Sequence, residues 1–569
     1  MAASRAVRII TDVAAVDRAF DYLVTESTAR VALGDRVRVD FNHRSVRGWV
    51  IDEVEAQGDL KPLGKWLGYG PAPSVLELAR WASVRWCGPV SRFLLAGSPS
   101  RLVTSLPDAP TADLLAAQVS AGLVAHEPGV WQVAPTYDPL PFVLAAYEHC
   151  RERDGSLLVL VPTESWARRL RGRLEQRGCA VASGEHEWDR MRAQWPVIVG
   201  ARGSALAPTP RVAGAVIIDA DDEAYRSEAA PTWDAVTMVR RRCELDDAPW
   251  WCTSMMPSPS LLDRASYHEG ADLVGGWPRV DVVDQRSRDP RDGALSREAL
   301  DAAHRALAGD EAVAVAVVLQ RLGTGRLLAC RRCGELARCA VCTQPEEEVD
   351  GQLRCAQGHG VRANFCLACG ATNLRRVRVG VSTLARDVAA QLAQPVSELT
   401  AQSSGDDLHR VVVGTEAIWQ RVRRCALVIF MDFDQYLLAP RDSARRAAVT
   451  AVGKAGRLVG SRREGRGHVV LQTRRGDDPV TLALTSGEFA DLVREDVETA
   501  RLLSLAPYGA TARVSGPGAA AFLEGLRRSD VTVHPAPDGF SVRAAQVTTL
   551  SEALGELTRP NEKVRVAVE

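Results

Sequence analysis

Seven of the thirteen cysteines lie in one short segment and are spaced as metal ligands. A Cys-x-x-Cys turn aims two thiolates at one ion. Zinc takes four ligands in a structural site, so eight ligands close two tetrahedral sites and leave no position for an activated water. The spacing therefore predicts a structural module with two zinc ions, with the ligands Cys330, Cys333, Cys339, Cys342, Cys355, His359, Cys366 and Cys369.

A redox motif and buried free thiols are the two alternatives to a zinc module. A redox Cys-x-x-Cys comes as a single copy near a βαβ unit, whereas this segment holds three copies. The eighth ligand stays open because position 358 is a glycine, so Cys355 does not begin a Cys-x-x-Cys pair. His359 is the substitute donor, and without it a water or a looser site would remain.

Length and composition limit what the rest of the chain can be. A chain of 569 residues is too long for one core, so about three to five domains are expected. A hydrophobic content of 46% and a net charge of −1 are typical of a soluble globular protein. They do not exclude a nucleic-acid partner, which needs only a local basic surface. The sequence shows neither a secretory leader nor an apolar run of membrane-spanning length, so we expect a cytoplasmic protein with reduced or metal-bound cysteines.

The first hundred residues alternate apolar with polar positions, which predicts a small β domain over 1–100. A hairpin turn is expected at Phe41-Asn-His, and four arginines surround it: Arg36, Arg38, Arg44 and Arg47. These arginines form either a DNA-binding surface or only a solvated strand face. Residues 101–137 are expected to be a linker with a reduced winged-helix remnant, from the helical pattern at 112–124 and the following Gly129-Val-Trp-Gln.

Apolar strands alternate with amphipathic helices over 138–265 and again over 266–465, which predicts parallel sheets covered on both faces. The cysteine module, at 326–376, interrupts the second unit, and 466–569 form a small α+β domain. An acidic run, Asp219-Ala-Asp-Asp-Glu223, follows a predicted central strand. Carboxylates at this place hold Mg²⁺ in motor domains, but a solvated acidic loop gives the same pattern.

The order of several motifs along the chain resembles the PriA family of primosomal replication-restart proteins. These motifs are Phe20-Asp-Tyr-Leu, Gly34-Asp-Arg-Val-Arg-Val, Val197-Ile-Val-Gly-Ala-Arg-Gly-Ser-Ala-Leu206, Val216-Ile-Ile-Asp219, the cysteine module followed by Gly370, Val411-Val-Val-Gly-Thr415, Gly453-Lys-Ala-Gly-Arg457 and Val469-Val-Leu-Gln-Thr473. The resemblance covers nearly the whole chain, apart from a shortened stretch where that family carries its winged helix.

The resemblance implies two RecA-like lobes of a superfamily 2 helicase, with two zinc ions in an insertion of the second lobe. By resemblance, Cys330, Cys333, Cys366 and Cys369 share one ion, and Cys339, Cys342 and Cys355 share the other with position 358 or 359. It also implies an N-terminal pocket for a DNA 3′ end formed by Phe20, Asp21, Tyr22 and Lys61, with Asp21 accepting a hydrogen bond from the 3′ hydroxyl. Asn42 stands where the family's pocket has a glycine.

The motor motifs of the family are degenerate here. Its phosphate loop needs Gly-x-x-x-x-Gly-Lys-Ser/Thr, yet no lysine lies between Lys65 and Lys454 and neither of these is followed by Ser or Thr. The loop's place is taken by Ala134-Pro-Thr-Tyr-Asp-Pro-Leu-Pro141. The Asp-Glu-Glu-His box has become Asp219-Ala-Asp221-Asp222, and the Ser-Ala-Thr box Ser254-Met-Met. Gly414 and Thr415 remain, and the last motif survives only as Lys454 and Arg457.

The predicted function is that of a replication restart protein that binds abandoned forks with a 3′ end and recruits primosome and helicase-loading partners. Zn²⁺ is the expected cofactor, and hydrolysis of ATP is not expected. The alternatives are an ATP-dependent 3′-to-5′ helicase with an altered nucleotide site, and a zinc-ribbon nucleic-acid-binding factor outside replication. The sequence gives neither the partner proteins nor the oligomeric state.

Overall fold

The computed structural model describes the whole chain except residues 1–4, 14–17, 111–126, 287–292, 321–327, 342–344, 350, 356–357, 377–380, 401–402, 404–406, 440 and 466. Its described strands form six sheets. The predicted helical pattern at 112–124 and the ligand Cys342 lie outside the described residues. No helix of the described part is long and apolar enough to cross a membrane.

The chain begins with an antiparallel five-stranded sheet in the order β2-β1-β4-β3-β5, followed by two helices. Its predicted hairpin is present, because Asn42 and His43 join β3 to β4 with φ of +49° and +60°. Two left-handed residues match the twist of the flanking strands, and Asn tolerates that conformation. The elements are β1 Arg5–Thr11, β2 Ala19–Leu23, β3 Arg36–Phe41, β4 Arg44–Glu55, β5 Lys65–Gly68, α1 Pro73–Arg85 and α2 Val90–Ala96.

A seven-stranded parallel sheet follows, in the order β12-β6-β11-β10-β7-β9-β8. Apolar clusters cover both of its faces, as the continuous apolar strands predicted. Its elements are β6 Gly129–Gln132, α3 Pro139–Cys150, β7 Ser156–Leu160, α4 Glu164–Glu175, β8 Val181–Ala182, α5 Trp188–Arg192, β9 Val197–Gly200, β10 Val212–Ile217, α6 Ala235–Leu245, β11 Trp250–Ser254, α7 Pro259–Leu262 and β12 Tyr267–Glu269.

A second parallel sheet has six strands in the order β13-β23-β22-β14-β21-β20, and again both faces are covered. The cysteine module lies between β14 and α9 and forms two small antiparallel sheets, β15-β19 and β16-β17-β18. The elements are β13 Arg279–Asp284, α8 Arg297–Leu307, β14 Val315–Val318, β15 Leu328–Cys330, β16 Glu346–Val349, β17 Gln352–Cys355, β18 Val361–Ala363, β19 Leu374–Arg376, α9 Val381–Leu392, β20 Val396–Leu399, β21 Val411–Gly414, α10 Ile418–Arg421, β22 Leu427–Phe430, α11 Asp434–Leu437, α12 Ala444–Val459, β23 His468–Thr473, α13 Pro479–Ser486 and α14 Ala490–Leu502.

The chain ends in an antiparallel sheet, β25-β26-β24-β27, with two helices. Helix α16 packs against α1, and one apolar cluster joins α1, the first parallel sheet and this last sheet. The N-terminal and C-terminal units are therefore anchored to the same core. The elements are β24 Ala510–Ser515, α15 Ala519–Leu523, β25 Val531–Ala536, β26 Gly539–Ala544, α16 Val547–Gly555 and β27 Arg565–Val568.

Three strands correct the boundaries expected from the sequence. Strand β6 was predicted to belong to the winged-helix remnant, but it pairs with β11 and β12 in the first parallel sheet. Strand β12, placed after the boundary at 265, belongs to that same sheet. Strand β23 was predicted to belong to the C-terminal domain, but it lies between β13 and β22 in the second parallel sheet. Pairing between strands distant in sequence depends on tertiary contacts, which local periodicity does not contain.

Candidate functional site

A cleft of about 2060 Å³ lies between the two parallel α/β units. The loop before α3, the start of α4 and the acidic run line it on one side. The segment around α10 and the inner face of α12 line it on the other. This is the position at which the carboxyl ends of parallel strands present side chains to a ligand.

The N-terminus of α3 has no backbone amide free to receive a phosphate. Asp138 caps the helix by accepting a hydrogen bond from the Leu140 amide, and Pro139 and Pro141 carry no N–H. A carboxylate thus stands where an anion would bind a helix N-terminus. Arg173 pairs with Asp138 and holds the pKa of that carboxyl below its usual range. This end of the cleft therefore lacks a phosphate loop in structure as well as in sequence.

Each aspartate of the acidic run already has a protein partner. Asp219 is buried in a left-handed conformation with φ of +54°, and its amide donates to Thr253 Oγ1. Asp221 accepts hydrogen bonds from the Ser254 hydroxyl and the Ser258 amide. Burial nevertheless raises the pKa of Asp221. The three aspartates of the acidic run therefore bind other protein groups. They do not form the solvated loop that the sequence left open as an alternative.

Two ion pairs cross the cleft and complete this network. Arg457 Nη1 lies 2.5 Å from Asp219 Oδ2, and its Nε donates to the Pro135 carbonyl of the loop before α3. Lys454 Nζ lies 2.8 Å from Asp222 Oδ2, whose side chain is 2% exposed. Burial opposes the charge of Lys454, but Asp222 outweighs it, so the pKa of Lys454 lies above its ordinary value. Both basic residues belong to α12, so this helix is bound to the opposite unit by charge.

Two other residues of the motor motifs, Gly414 and Thr415, have structural roles. Gly414 ends β21 so close to β20 that an added Cβ would lie 2.2 Å from the Leu399 carbonyl oxygen. The Thr415 amide donates to that same carbonyl, and the residue is buried. Glu223 and Arg441 form a third ion pair across the cleft.

The cysteine module brings four thiols together in the grouping that the family resemblance implied. Cys330, Cys333, Cys366 and Cys369 have sulfur atoms within 4.8 Å of one another. The Cys330 and Cys369 sulfurs are 3.5 Å apart, as are those of Cys333 and Cys366. Four thiolates at this spacing fit a tetrahedral metal ion of the Cys₄ type.

A second group contains Cys339, Cys355 and His359, with ligand atoms again within 4.8 Å. His359 Nδ1 is 3.6 Å from Cys355 Sγ, so the structure places the predicted substitute ligand at the site. Gly358 has a φ of +77°. That left-handed turn suits glycine and brings position 359 back toward Cys355.

The predicted DNA-end residues do not all share one face. Phe20 and Tyr22 point to one side of β2, where Phe20 packs against Phe41 with ring centroids 4.9 Å apart. Tyr22 donates its hydroxyl to the Asp40 carbonyl, and Lys61 Nζ lies 3.7 Å from an Asp40 oxygen. Asp21 points to the other side of β2.

Asp21 has a partner within the N-terminal sheet. Arg8 donates from Nε and Nη2 to its two carboxylate oxygens, at 2.8 and 3.1 Å. This pairing fixes the carboxylate on an edge strand and leaves lone pairs for a further donor.

The four arginines around the hairpin separate into two groups. Arg36 is buried and donates to the Pro99 carbonyl, and burial lowers its pKa. It therefore does not belong to an exposed DNA-binding surface, contrary to the sequence prediction. Arg38 lies opposite Arg47 on neighbouring strands, Arg47 pairs with Asp12, and Arg44 lies at the turn.

One charged cluster was not anticipated. Asp432 and Asp434, just after β22, are buried beside Arg474, which follows β23. Burial and the neighbouring Asp434 raise the pKa of Asp432 to about 7, against the effect of Arg474. The sequence contains no signal for this cluster, because it depends on the pairing of β22 with β23.

Comparisons with known proteins find similar sequences over much of this chain. The family model "3'DNA-binding domain (3'BD)" of PriA matches residues 8–99. A replication restart protein PriA from Thermotoga maritima is 23% identical over 63% of this chain and 52% of its own length. A probable replication restart protein PriA from Mycobacterium bovis is 26% identical over 71% of this chain and 66% of its own length. The chain spans about half to two thirds of the length of these relatives.

Two solved structures are also similar to parts of this chain. S. cerevisiae Dbp5 bound to RNA and ADP BeF3 is 11% identical, with 75% of this chain and 92% of that chain covered at a TM-score of 0.36. A DEAD box protein from Methanococcus jannaschii matches at a TM-score of 0.27. At these TM-scores the likenesses carry no argument about this chain. The sequence comparisons do carry one: residues 8–99 are similar to the 3′ DNA-binding domain of PriA, and most of the chain is similar to PriA replication restart proteins.

Proposed function

We propose that this chain is a replication restart protein that binds forked DNA and recruits other restart proteins without hydrolysing ATP. The observation that carries the proposal is the pair of ion pairs across the cleft, Lys454 with Asp222 and Arg457 with Asp219. A motor of this class needs carboxylates for Mg²⁺ and basic residues for the transferring phosphate. Here the carboxylates and the basic residues of the same cleft neutralise one another.

The start of α3 supports the same conclusion. Phosphate binding there needs backbone amides directed at the ligand, and Pro139, Pro141 and the capping Asp138 remove them. Loss of electrostatic stabilisation at a reacting group costs about 3 to 4 kcal/mol of barrier for one donor alone. Losing the lysine, the amides and the metal-binding carboxylates together leaves no catalytic constellation. We therefore assign the two parallel units as RecA-like lobes that serve as a scaffold.

DNA binding is assigned to the N-terminal unit, residues 1–100, which the family model of a 3′ DNA-binding domain matches over 8–99. The Asp21 carboxylate, held by Arg8, accepts a hydrogen bond from a terminal 3′ hydroxyl and repels a 3′ phosphate. Phe20 and Tyr22 project from the opposite face of this edge strand, and Lys61 lies near Asp40, so the contact with the 3′ hydroxyl is assigned to Asp21 alone.

The cysteine module is assigned two structural zinc ions. The four-thiol group fits a closed zinc site, and Cys339, Cys355 and His359 supply three donors of the second, with Cys342 as the fourth. A zinc ion at each group would hold the module's short strands together, since metal binding in such small units supplies folding free energy. Closed coordination gives the ions no catalytic part.

The test of the proposed function is ATP turnover measured with and without forked DNA, for the wild type and for Asp219→Ala. We expect no turnover above background in either protein, together with tight binding of the fork. A DNA-stimulated turnover that disappears in Asp219→Ala would instead show a working nucleotide site and favour the helicase alternative. Equal binding of forks and linear duplexes would favour the zinc-ribbon alternative.

A further inference from the structure

Four arginines of the interlobe cleft have no ion-pair or hydrogen-bond partner within the described part of the chain. Arg168 and Arg169 lie on α4 of the first parallel unit, and Arg423 and Arg424 lie between α10 and β22 of the second. All four are exposed and line the same cleft. They form what we call the arginine cluster.

Other arginines of α4 do have ion-pair partners. Arg171 pairs with Glu175 and Glu187, and Arg173 pairs with Asp138. These arginines, two and four positions beyond Arg169, are therefore neutralised within the protein. The arginine cluster is not, although it belongs in part to the same helix.

The two halves of the cluster repel each other across the cleft. Partial desolvation in the cleft lowers the pKa of Arg169, and the nearby charges of Arg423 and Arg168 lower it further. Like charges brought together from two separate units destabilise the closed arrangement unless an anion lies between them. The inner ion pairs of α12 hold the units together in spite of this repulsion.

We propose that the arginine cluster binds a condensed phosphate chain, of two or more linked phosphates, that bridges the two lobes without a divalent cation. Guanidinium groups match phosphate oxygens in pairs and keep their charge, so four of them can hold several phosphate charges. No metal takes part, because Asp219, Asp221 and Asp222 are occupied by Arg457, serine donors and Lys454.

A compact phosphate chain fits this cleft better than a nucleic-acid strand does. Glu228, Glu311, Asp407 and Glu416 also line it. A strand that crossed the whole cleft would meet these carboxylates as well as the arginines, whereas a short phosphate chain needs fewer contacts and carries more charge per unit length. The chain can come from an inorganic polyphosphate or from the phosphates of a nucleotide, since the contacts named are to phosphate only.

The proposal rests on the proposed function in one respect: both require that the acidic run does not bind a metal ion. The experiment is titration of the full-length protein with inorganic tripolyphosphate in the presence of EDTA, followed by calorimetry. We expect binding to the wild type, and at least a tenfold weaker affinity in Arg169→Gln and in Arg423→Gln. Arg173→Gln is the matched control, because this arginine lies on the same helix but is paired, and its affinity should stay within twofold of the wild type.

Two further ligands identify the source of the phosphate chain and set the limits of the proposal. ADP in EDTA should bind like inorganic pyrophosphate if phosphate alone is recognised, and more tightly if a nucleotide is the source. The proposal is overturned if tripolyphosphate does not bind without metal, if both variants bind it like the wild type, or if they lose only binding of a single-stranded oligonucleotide. Magnesium-dependent hydrolysis of ATP would refute the proposed function instead, so the two failures are distinguishable. Circular dichroism of the variants, whose substituted side chains are exposed, confirms that they are folded.

Discussion

Removing the ammonium of Lys454 should open the interface between the two lobes. Lys454→Met keeps most of the side-chain volume but leaves the carboxylate of Asp222, 2% exposed, without its cation. Removing one partner of a buried ion pair costs about 3 to 5 kcal/mol. Because the Lys454 side chain keeps 25% exposure, we expect about 3 kcal/mol, at the lower end of that range. At about 1.4 kcal/mol per tenfold change, the open state becomes about 100-fold more populated.

The assay is amide hydrogen exchange, which reports local opening segment by segment. Peptides covering 220–226 and 450–458 should exchange about 100-fold faster in Lys454→Met, whereas peptides of the N-terminal sheet should not change. Adding Asp222→Asn should restore most of the protection, because the buried charge is removed while a side-chain oxygen remains to accept from the Ala224 amide.

The matched control is Lys61→Met, since Lys61 and Asp40 are each 57% exposed and 3.7 Å apart. An exposed pair contributes about 0 to 1 kcal/mol, so protection around it should hardly change. Exchange in Lys454→Met within threefold of the wild type would refute the expected opening. A double variant that exchanges as fast as Lys454→Met alone would do the same, because removing the Asp222 charge would then not compensate for the loss of Lys454.

Three other predictions concern the zinc module, the buried carboxylate and the DNA end. Elemental analysis should find two zinc ions per chain, and serine at both Cys339 and Cys342 should remove only one of them; an unchanged count would exclude the second site. A carboxyl with a raised pKa binds its proton more tightly in the folded state, so the contribution of Asp432 to stability falls as pH rises from about 4 to about 7. The melting temperature of Asp432→Asn relative to the wild type should therefore be higher at pH 8 than at pH 5, and equal differences at the two pH values would contradict this. Forks with a 3′ hydroxyl should bind more tightly than forks with a 3′ phosphate, and Asp21→Ala should abolish the difference; a wild type that binds both equally would remove Asp21 from that role.

Local patterns in the sequence determined the two parallel sheets, the first hairpin and the candidate metal ligands. The continuous apolar strands predicted two parallel sheets, and the hairpin at Asn42 and His43 formed where its residues indicated. The spacing of the cysteines predicted metal ligands, and the structure groups the described ligands as the family resemblance implied. These features were predictable because periodicity, turn chemistry and ligand spacing are properties of short segments.

Only the tertiary structure determines which charged side chains of the cleft pair with one another. Lys454 and Asp222 are more than two hundred positions apart, and nothing local in the chain indicates that they pair. The same holds for the entry of β6 and β23 into the parallel sheets, and for the burial of Arg36. The sequence showed that the catalytic lysine of the phosphate loop is missing. That the remaining charges neutralise one another, and that the arginine cluster is left without partners in the described part of the chain, follows from packing two units face to face, because electrostatic pairing depends on distance in space and not on separation along the chain.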